Sequence, residues 1–170
     1  RASAEAPPVD VTIPASLRIA DLPAEETQRR RTAPAAEVAE EAWFRQGRIT
    51  FSSRCSGCHA IGLGEGREKA QKQLLTKELL EQTGYADPRA FQYIVRYGKV
   101  RGNTQGRGAY ANTKMPGFSA DCSDVSEETV CVVPPVDETK LRDVQDFAYN
   151  RANEGWSALP ALARRRIAAD

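Results

Sequence analysis

The sequence lacks a long apolar run, an excess of charge of one sign and internal repeats. No stretch approaches the roughly 18 consecutive apolar residues that cross a bilayer, so we expect a protein that does not span a membrane. The 24 basic and 23 acidic residues nearly cancel, so composition gives no reason to expect nucleic acid or a membrane surface as a partner. The N-terminus also lacks the charged and then apolar run of a signal peptide, so an exported protein would already have lost its targeting segment.

Sustained alternation of apolar and polar residues, the pattern of β-strands, is missing as well, so we expect an all-α protein. The chain length favours one ordinary domain with extensions. Residues 1–36 are rich in proline and poor in apolar runs, which predicts an extended, weakly ordered arm. We place the folded domain at residues 37–156 and a C-terminal tail at residues 157–170.

Apolar residues recur at the spacing of helices in four segments: residues 36–51, 76–82, 88–97 and 137–155. Acidic residues stand at the start of the first and last segments, where carboxylates stabilise a helix N-terminus. Gly84 and Gly98 follow the two middle segments and predict their ends. In the first segment, Phe44 and Ile49 belong to the apolar pattern.

Two polar segments predict loops. The first contains three closely spaced glycines, Gly62, Gly64 and Gly66. They suit a loop around a flat ring better than a cradle for phosphate. The second, residues 99–114, has no acidic residue and contains Arg101, Arg107 and Lys114. It predicts an exposed basic loop.

The four cysteines form two pairs of different spacing. Cys55 and Cys58 are separated by two residues, whereas Cys122 and Cys131 bracket the acidic segment 123–130. A bridge across that segment would stabilise the fold by about 2.5 to 3 kcal/mol. It could be a structural staple or a redox-active disulfide that exchanges with a partner's thiols. Persistent disulfides belong to compartments outside the reducing cytosol.

The first pair belongs to the run Cys55-Ser56-Gly57-Cys58-His59. Two thiols at this spacing can reach the two vinyl groups of one porphyrin, and the adjacent histidine is then held beneath the iron. His59 is also the chain's only histidine. The motif therefore predicts one covalently bound haem c, with His59 as an iron ligand.

Two other sites are possible for these cysteines. Four thiolates from Cys55, Cys58, Cys122 and Cys131 could hold zinc, but structural zinc pairs usually repeat the short gap in both halves. Zinc also gives no reason for His59 to stand directly after the pair. A thioredoxin-like redox pair normally accompanies a β-α-β pattern, which this sequence lacks.

The chain has one methionine, Met115, in the run Lys114-Met115-Pro116-Gly117-Phe118. A single methionine is often core filler. Here it follows a glycine-rich loop, and proline and glycine stiffen and turn the backbone just past it. We predict Met115 as the second axial ligand of the iron. Ligation by histidine and methionine suits electron transfer and leaves no open iron position, so we do not expect an enzyme.

Residues from about Trp43 to Trp156 resemble the cytochrome c6 family, the class I cytochromes c of the thylakoid lumen. Gly47, eight residues before the first haem cysteine, and Phe51, four residues later, match the family's pattern. The middle helices up to Gly98-Lys99 and the last helix are also similar. The basic loop is longer than the family's short link to the methionine.

The closest resemblance is to the disulfide-bearing A-type branch of green algae and plants. That branch has a two-cysteine insertion directly after Met-Pro-Gly-Phe, which matches Cys122 and Cys131 here, and it ends its last helix near Gly-Trp, here Gly155-Trp156. It also replaces a family glutamine near the haem by an aliphatic residue, here Ile94. The resemblance implies a lower haem potential, because a hydrogen-bond donor is lost.

The resemblance implies a class I cytochrome c fold, in which the helix before Cys55 crosses the last helix. Gly47 would permit close approach to Phe147 and Tyr149. It further implies an electron carrier in photosynthesis, located in the chloroplast thylakoid lumen, or in the lumen or periplasm of a bacterium. The implied partners are the cytochrome bf complex and photosystem I, whose acidic surface the basic loop could attract.

Two other functions stay open. A thiol-oxidising or redox-sensing cytochrome would use the Cys122–Cys131 disulfide on a lumenal thiol protein. A haem subunit of a larger photosynthetic complex would dock through residues 1–36 and 157–170.

Overall fold

The structure, a computed structural model, describes four parts of the chain: residues 22–60, 74–98, 115–124 and 130–157. Several predictions therefore lie outside the described residues: those for most of the N-terminal arm, the glycine-rich loop, the basic loop with Arg101, Arg107 and Lys114, most of the acidic loop, and the tail from residue 158. They stay predictions.

The described residues form six α-helices and no strand, which confirms the all-α prediction. The helices are α1 (Ala24–Thr32), α2 (Ala35–Val38), α3 (Ala42–Thr50), α4 (Lys77–Thr83), α5 (Pro88–Tyr97) and α6 (Glu138–Asn153). Gly84 and Gly98 follow α4 and α5 with positive φ, as predicted. None of the described helices is long and apolar enough to cross a membrane.

Helix α6 lies at the centre of the molecule and packs against α1, α3, α4 and α5. Its most extensive contact is with α3, where Gly47 faces α6. A Cβ atom on Gly47 would lie 2.6 Å from the Cβ of Phe147 and against the carbonyl oxygen of Asp143. The absence of a side chain at Gly47 therefore permits the close packing of these two helices, as the family resemblance implied.

Tyr149 lies on another face of α6 and does not take part in the Gly47 contact. Its ring packs 4.9 Å from that of Phe91 on α5, and its hydroxyl donates to the carbonyl of Tyr85 at 2.8 Å. Residues two apart on a helix point in widely different directions, so Phe147 and Tyr149 cannot both face Gly47. The prediction for Phe147 is confirmed, and that for Tyr149 is wrong.

Aromatic rings fill the core between α3 and α6. Phe44 lies 5.0 Å from Phe147, and Phe51 lies 5.0 Å from Trp156, measured between ring centroids. Gly155 and Trp156 both have positive φ, so the chain turns back after α6 and inserts the indole into the core. The indole nitrogen donates to the carbonyl of Leu75 at 2.7 Å. This bond ties the segment before α4 to the end of α6.

The segment 22–36 differs from its prediction as an extended arm, because most of it is helical. Helix α1 docks on α6 through charged side chains. Arg31 donates to the buried carboxylate of Asp146 at 2.9 Å, and Arg30 donates to Asp143 at 3.3 Å. None of the described residues of α1 is buried, so the apolar pattern gave no sign of this helix.

The predicted single helix over residues 36–51 is divided in the structure. Helix α2 ends at Val38, and α3 begins after Glu41, whose backbone is extended. The Glu41 carboxylate accepts bonds from Arg29 at 2.6 Å and from the Trp43 indole at 2.7 Å, which hold this break. Ile49 is 61% exposed, so its expected place in the apolar pattern is wrong.

Candidate haem-binding site

The Cys55–His59 motif lies at the end of α3. The helix widens into a π-helical turn over Phe51–Cys55, closed by a hydrogen bond from Ser56 N to Phe51 O of 2.9 Å. The amides of Cys58 and His59 then both donate to the carbonyl of Cys55, at 3.1 and 2.9 Å. The two cysteines and the histidine therefore belong to one tight turn, continuous with a helix of the core.

The two thiols of the motif lie in different environments. Cys55 is half-buried and Cys58 is exposed, and neither forms a disulfide. Burial, with a smaller effect of the neighbouring Cys58, raises the pKa of Cys55 to about 12. At neutral pH Cys55 is therefore a thiol and not the more nucleophilic thiolate.

A pocket opens beside this turn. The space enclosed beside the turn, together with the part open to solvent, is about 410 Å³. The lining includes Cys55 at the end of α3, side chains of α5 and α6, and Met115 and Phe118. The lining residues are predominantly apolar: Thr50, Arg54, Cys55, Leu75, Phe91, Val95, Met115, Phe118, Val136, Leu141, Val144 and Ala148.

The pocket brings together two of the predicted site residues, Cys55 and Met115, which are far apart in the sequence. Cys58 and His59 lie in the same turn as Cys55, although they are not among the described residues that line the pocket. His59 is half-buried. Ile94 is half-buried on α5, directly before Val95 of the lining.

Residues 115–118, which we call the methionine strap, run along the end of α5. The amide of Phe118 donates to the carbonyls of Arg96 and Val95, at 2.9 and 3.1 Å. Met115 packs beside a small apolar cluster formed by Phe118, Val136 and Leu141. The strap therefore places the thioether of Met115 on the pocket wall.

Gly98 and Gly117 allow the strap to lie directly on the end of α5. Gly98 has a φ of 71°, and a Cβ atom on it would lie 2.7 Å from the amide nitrogen of Gly117. A Cβ on Gly117 would in turn lie 2.6 Å from the carbonyl oxygen of Arg96. Both glycines are therefore needed for backbone to pack on backbone beside the site.

Arg96 is a buried residue near the site that the sequence pattern did not single out. It is 1% exposed, and its guanidinium bonds to Glu138 at the start of α6. Its carbonyl accepts from the Ser119 hydroxyl at 3.0 Å, besides the strap amide. Burial raises the pKa of Glu138, and the charge of Arg96 opposes that shift. In the sequence, the one sign of a buried Arg96 was its position beside the apolar stripe of α5.

Cys122 and Cys131 form a disulfide, with 5.8 Å between their Cα atoms. Cys122 is buried and Cys131 is half-buried. The bridge uses two of the four thiols that the zinc alternative requires. In the described parts of the chain, no group of three or more histidine, cysteine or acidic side chains could hold a metal ion.

The residues at the pocket fit a covalently bound haem. A thiol on the wall and a second thiol in the same turn are the groups that attach to two vinyl substituents. A thioether from the strap and an imidazole from the turn are the ligands of electron-transfer cytochromes c. The apolar lining suits the faces of a porphyrin.

Neither the known protein families nor the curated proteins include a match to this chain. Among solved structures, the chain is similar to the oxidised cytochrome c6A from Arabidopsis thaliana. The TM-score is 0.48 and the sequence identity is 20%, and the match covers 71% of this chain and 100% of that one.

Proposed function

We propose that this protein is a monohaem c-type cytochrome that carries single electrons. The observation that carries the proposal is the apolar pocket whose wall includes both Cys55 and Met115. One stands in the haem-attachment motif, and the other is the chain's only methionine. The fold brings these two residues to one cavity from distant parts of the sequence. A zinc site or a dithiol redox site would not require a methionine beside Cys55.

Each residue has a distinct role in the proposal. Cys55 and Cys58 would hold the haem through thioether bonds, and His59 and Met115 would be the protein's ligands to its iron. The haem supplies a reversible one-electron couple. Phe91, Val95 and the apolar side chains of α6 exclude water from the pocket, which limits reorganisation when the charge changes. With both axial positions taken by the protein, no substrate chemistry is expected at the iron.

The proposed setting is photosynthetic electron transport in the thylakoid lumen, with the cytochrome bf complex as electron donor and photosystem I as acceptor. The resemblance of residues 43–156 to the cytochrome c6 family supports this setting. The disulfide supports a compartment outside the reducing cytosol.

The test is a redox titration of the haem absorbance on the matured holoprotein. We expect haem that stays with the polypeptide after denaturation, and in the oxidised form the weak far-red band of methionine sulfur bound to iron. Met115→Leu should keep the haem, lose the band and lower the potential. Val133→Ala, a change at a residue that is 86% exposed, is the matched control and should alter neither.

Two results would contradict the proposal. Maturation without covalent haem would reject the cytochrome itself. Covalent haem with a potential too low to accept electrons from the cytochrome bf complex would reject the proposed electron carrier between that complex and photosystem I.

A lumenal thiol oxidant is the second candidate, and the position of Cys131 favours it. Cys131 is half-buried, and two exposed apolar residues flank it in the sequence. Val130 is 58% exposed, and Val133 is 86% exposed. A partner's thiolate would reach Cys131 more readily than the buried Cys122. Incubation with a dithiol, followed by alkylation of the released cysteines, measures whether the bridge exchanges. A bridge that resists strongly reducing dithiol would reject this function.

A further inference from the structure

The methionine strap is attached to the rest of the molecule on two sides. On the inner side, the Phe118 amide donates to Arg96 and Val95, and Gly98 packs under the backbone. These contacts involve α5 and the glycine that ends it. They would remain if the disulfide were broken.

On the outer side, the strap pairs with the segment that contains Cys131. The amide of Gly117 donates to the carbonyl of Val130 at 2.8 Å, and the amide of Val132 donates to the carbonyl of Gly117 at 2.9 Å. These bonds form an isolated parallel bridge between Gly117 and Cys131. The residue that faces the strap is therefore the one that the disulfide ties to Cys122.

The other half of the bridge touches the strap directly. The sulfur of Cys122 lies where a Cβ on Gly117 would point, so this sulfur packs against the strap's glycine. Cys122 is only 1% exposed, and its amide donates to the carbonyl of Ser119 at 3.2 Å. The sulfur of Cys122 and the carbonyl oxygen of Arg96 both lie close to the position of that Cβ, so the disulfide, the strap and the end of α5 meet at Gly117, two residues after Met115.

From these contacts we propose that the Cys122–Cys131 disulfide is a positioning element for Met115, an inference that rests on the proposed haem function. Breaking the bridge leaves the inner contacts of the strap in place and weakens the outer ones. The thioether of Met115 then occupies the pocket wall for a smaller fraction of the time. The redox state of the bridge is thereby coupled to the strength of the second axial ligand.

Coupling between two sites is reciprocal. If the bridge favours the position of Met115, then ligation by Met115 must favour the intact bridge. In a redox buffer, a dithiol is oxidised to its own disulfide while Cys122 and Cys131 each gain one electron and one proton. Met115→Leu should make this reduction easier.

The main test compares the wild-type holoprotein with the double variant Cys122→Ser, Cys131→Ser. We expect the double variant to retain covalent haem, to lose far-red absorbance in the oxidised form, and to shift to a lower haem potential. Gly117→Ala keeps both cysteines and is a positive control for displacement of the strap, because its Cβ would meet both the Cys122 sulfur and the carbonyl of Arg96; it should also lose the far-red band.

A stability control separates positioning from general weakening. Asn150→Ala removes the side-chain bonds to the carbonyls of Arg30 and Ala33, of 2.9 and 2.8 Å, away from the strap. It should lower the unfolding temperature while the far-red band and the haem potential stay at their wild-type values.

The outcomes separate this inference from the proposed function. If the wild type shows the far-red band and the double variant keeps both band and potential, positioning by the disulfide is rejected and the cytochrome function stands. If the wild type has no such band, ligation by Met115 is rejected, and the inference falls with it. An unchanged disulfide potential in Met115→Leu would also reject the coupling.

Discussion

At the scale of single residues, Gly47 determines how closely α3 and α6 approach. A side chain at this position would meet the backbone of Asp143 and the Cβ of Phe147, neither of which can rotate away. A methyl group can be accommodated only if the helices separate. The aromatic core between them would then lose contacts along its length.

Gly47→Ala should therefore destabilise the protein by about 3 kcal/mol, the upper part of the range for overpacking. Thermal or denaturant unfolding of the holoprotein measures the change. Gly57→Ala is the matched control, because a Cβ there meets no atom within 4 Å. Its effect should stay below about 1 kcal/mol. Equal losses in the two variants would contradict this account of the helix contact.

The resemblance identified Gly47 in the sequence because a glycine stood at a fixed distance from the haem motif. It could not distinguish Phe147 from Tyr149 as the contact, since that depends on the rotation of α6 about its own axis. Arg96 was missed for a related reason. A basic residue on an amphipathic helix is usually solvated, and only the tertiary structure places Glu138 beside it.

At the scale of elements, α1 is held by charges at both of its faces. Glu26 accepts bonds from Arg29 and Arg30, each at 2.8 Å, and Arg29 also bonds to Glu41 at the start of α3. The bonds from Arg29 and then Arg30 lower the pKa of Glu26 to about 2. The pKa of Glu41 is lowered as well, mainly by Arg29.

These shifts predict that acid weakens the ion pairs of α1. A carboxylate whose pKa is lowered in the folded state stabilises the protein fully above its unfolded pKa, about 4.5, and the contribution is lost as the pH falls towards about 2. The contribution of Glu26 to the free energy of unfolding should therefore decrease over this interval. Because Glu26 is partly solvated, we expect its share to be about 1 kcal/mol.

Denaturant unfolding at a series of pH values measures this share. In Glu26→Gln the decrease between pH 4.5 and 2 should be smaller than in the wild type by that amount. Glu25→Gln, on the exposed side of the same turn, is the control and should follow the wild type. Parallel curves for all three proteins would show that Glu26 does not contribute.

Sequence analysis recovered the helices that pack through apolar residues and missed the one that packs through charges. Helices α4, α5 and α6 have stripes of apolar residues with a clear period, and α4 and α5 are followed by glycine. Helix α1 has arginines and glutamates instead, which are typical of a solvated surface. Its partners, Asp143 and Asp146, lie far away in the sequence, so no local pattern could indicate that they are buried.

At the scale of the whole molecule, α6 is the helix that α1, α3, α4 and α5 all contact. Every residue from Asp143 to Ala152 is buried, including two aspartates and an arginine. By contrast, Leu80 is the buried residue of α4. We therefore expect stability to vary along the chain, with the last helix as the most protected element.

Amide hydrogen exchange should show this difference directly. Amides in the second half of α6 should exchange through global unfolding, whereas amides of α4 should exchange through local opening that costs less free energy. Exchange measured by mass spectrometry on the holoprotein, with peptides that separate the two helices, gives both values. Similar protection in α4 and α6 would contradict the central position of α6.

The position of α6 in the sequence affects the order in which the core can form, because α6 is the last of the described helices to be synthesised. The central helix is made after the others, so α1, α3, α4 and α5 have no complete surface to pack against while the chain is still emerging. Trp156, which closes the aromatic core, comes later still. The aromatic core is therefore completed only by the last part of the described chain.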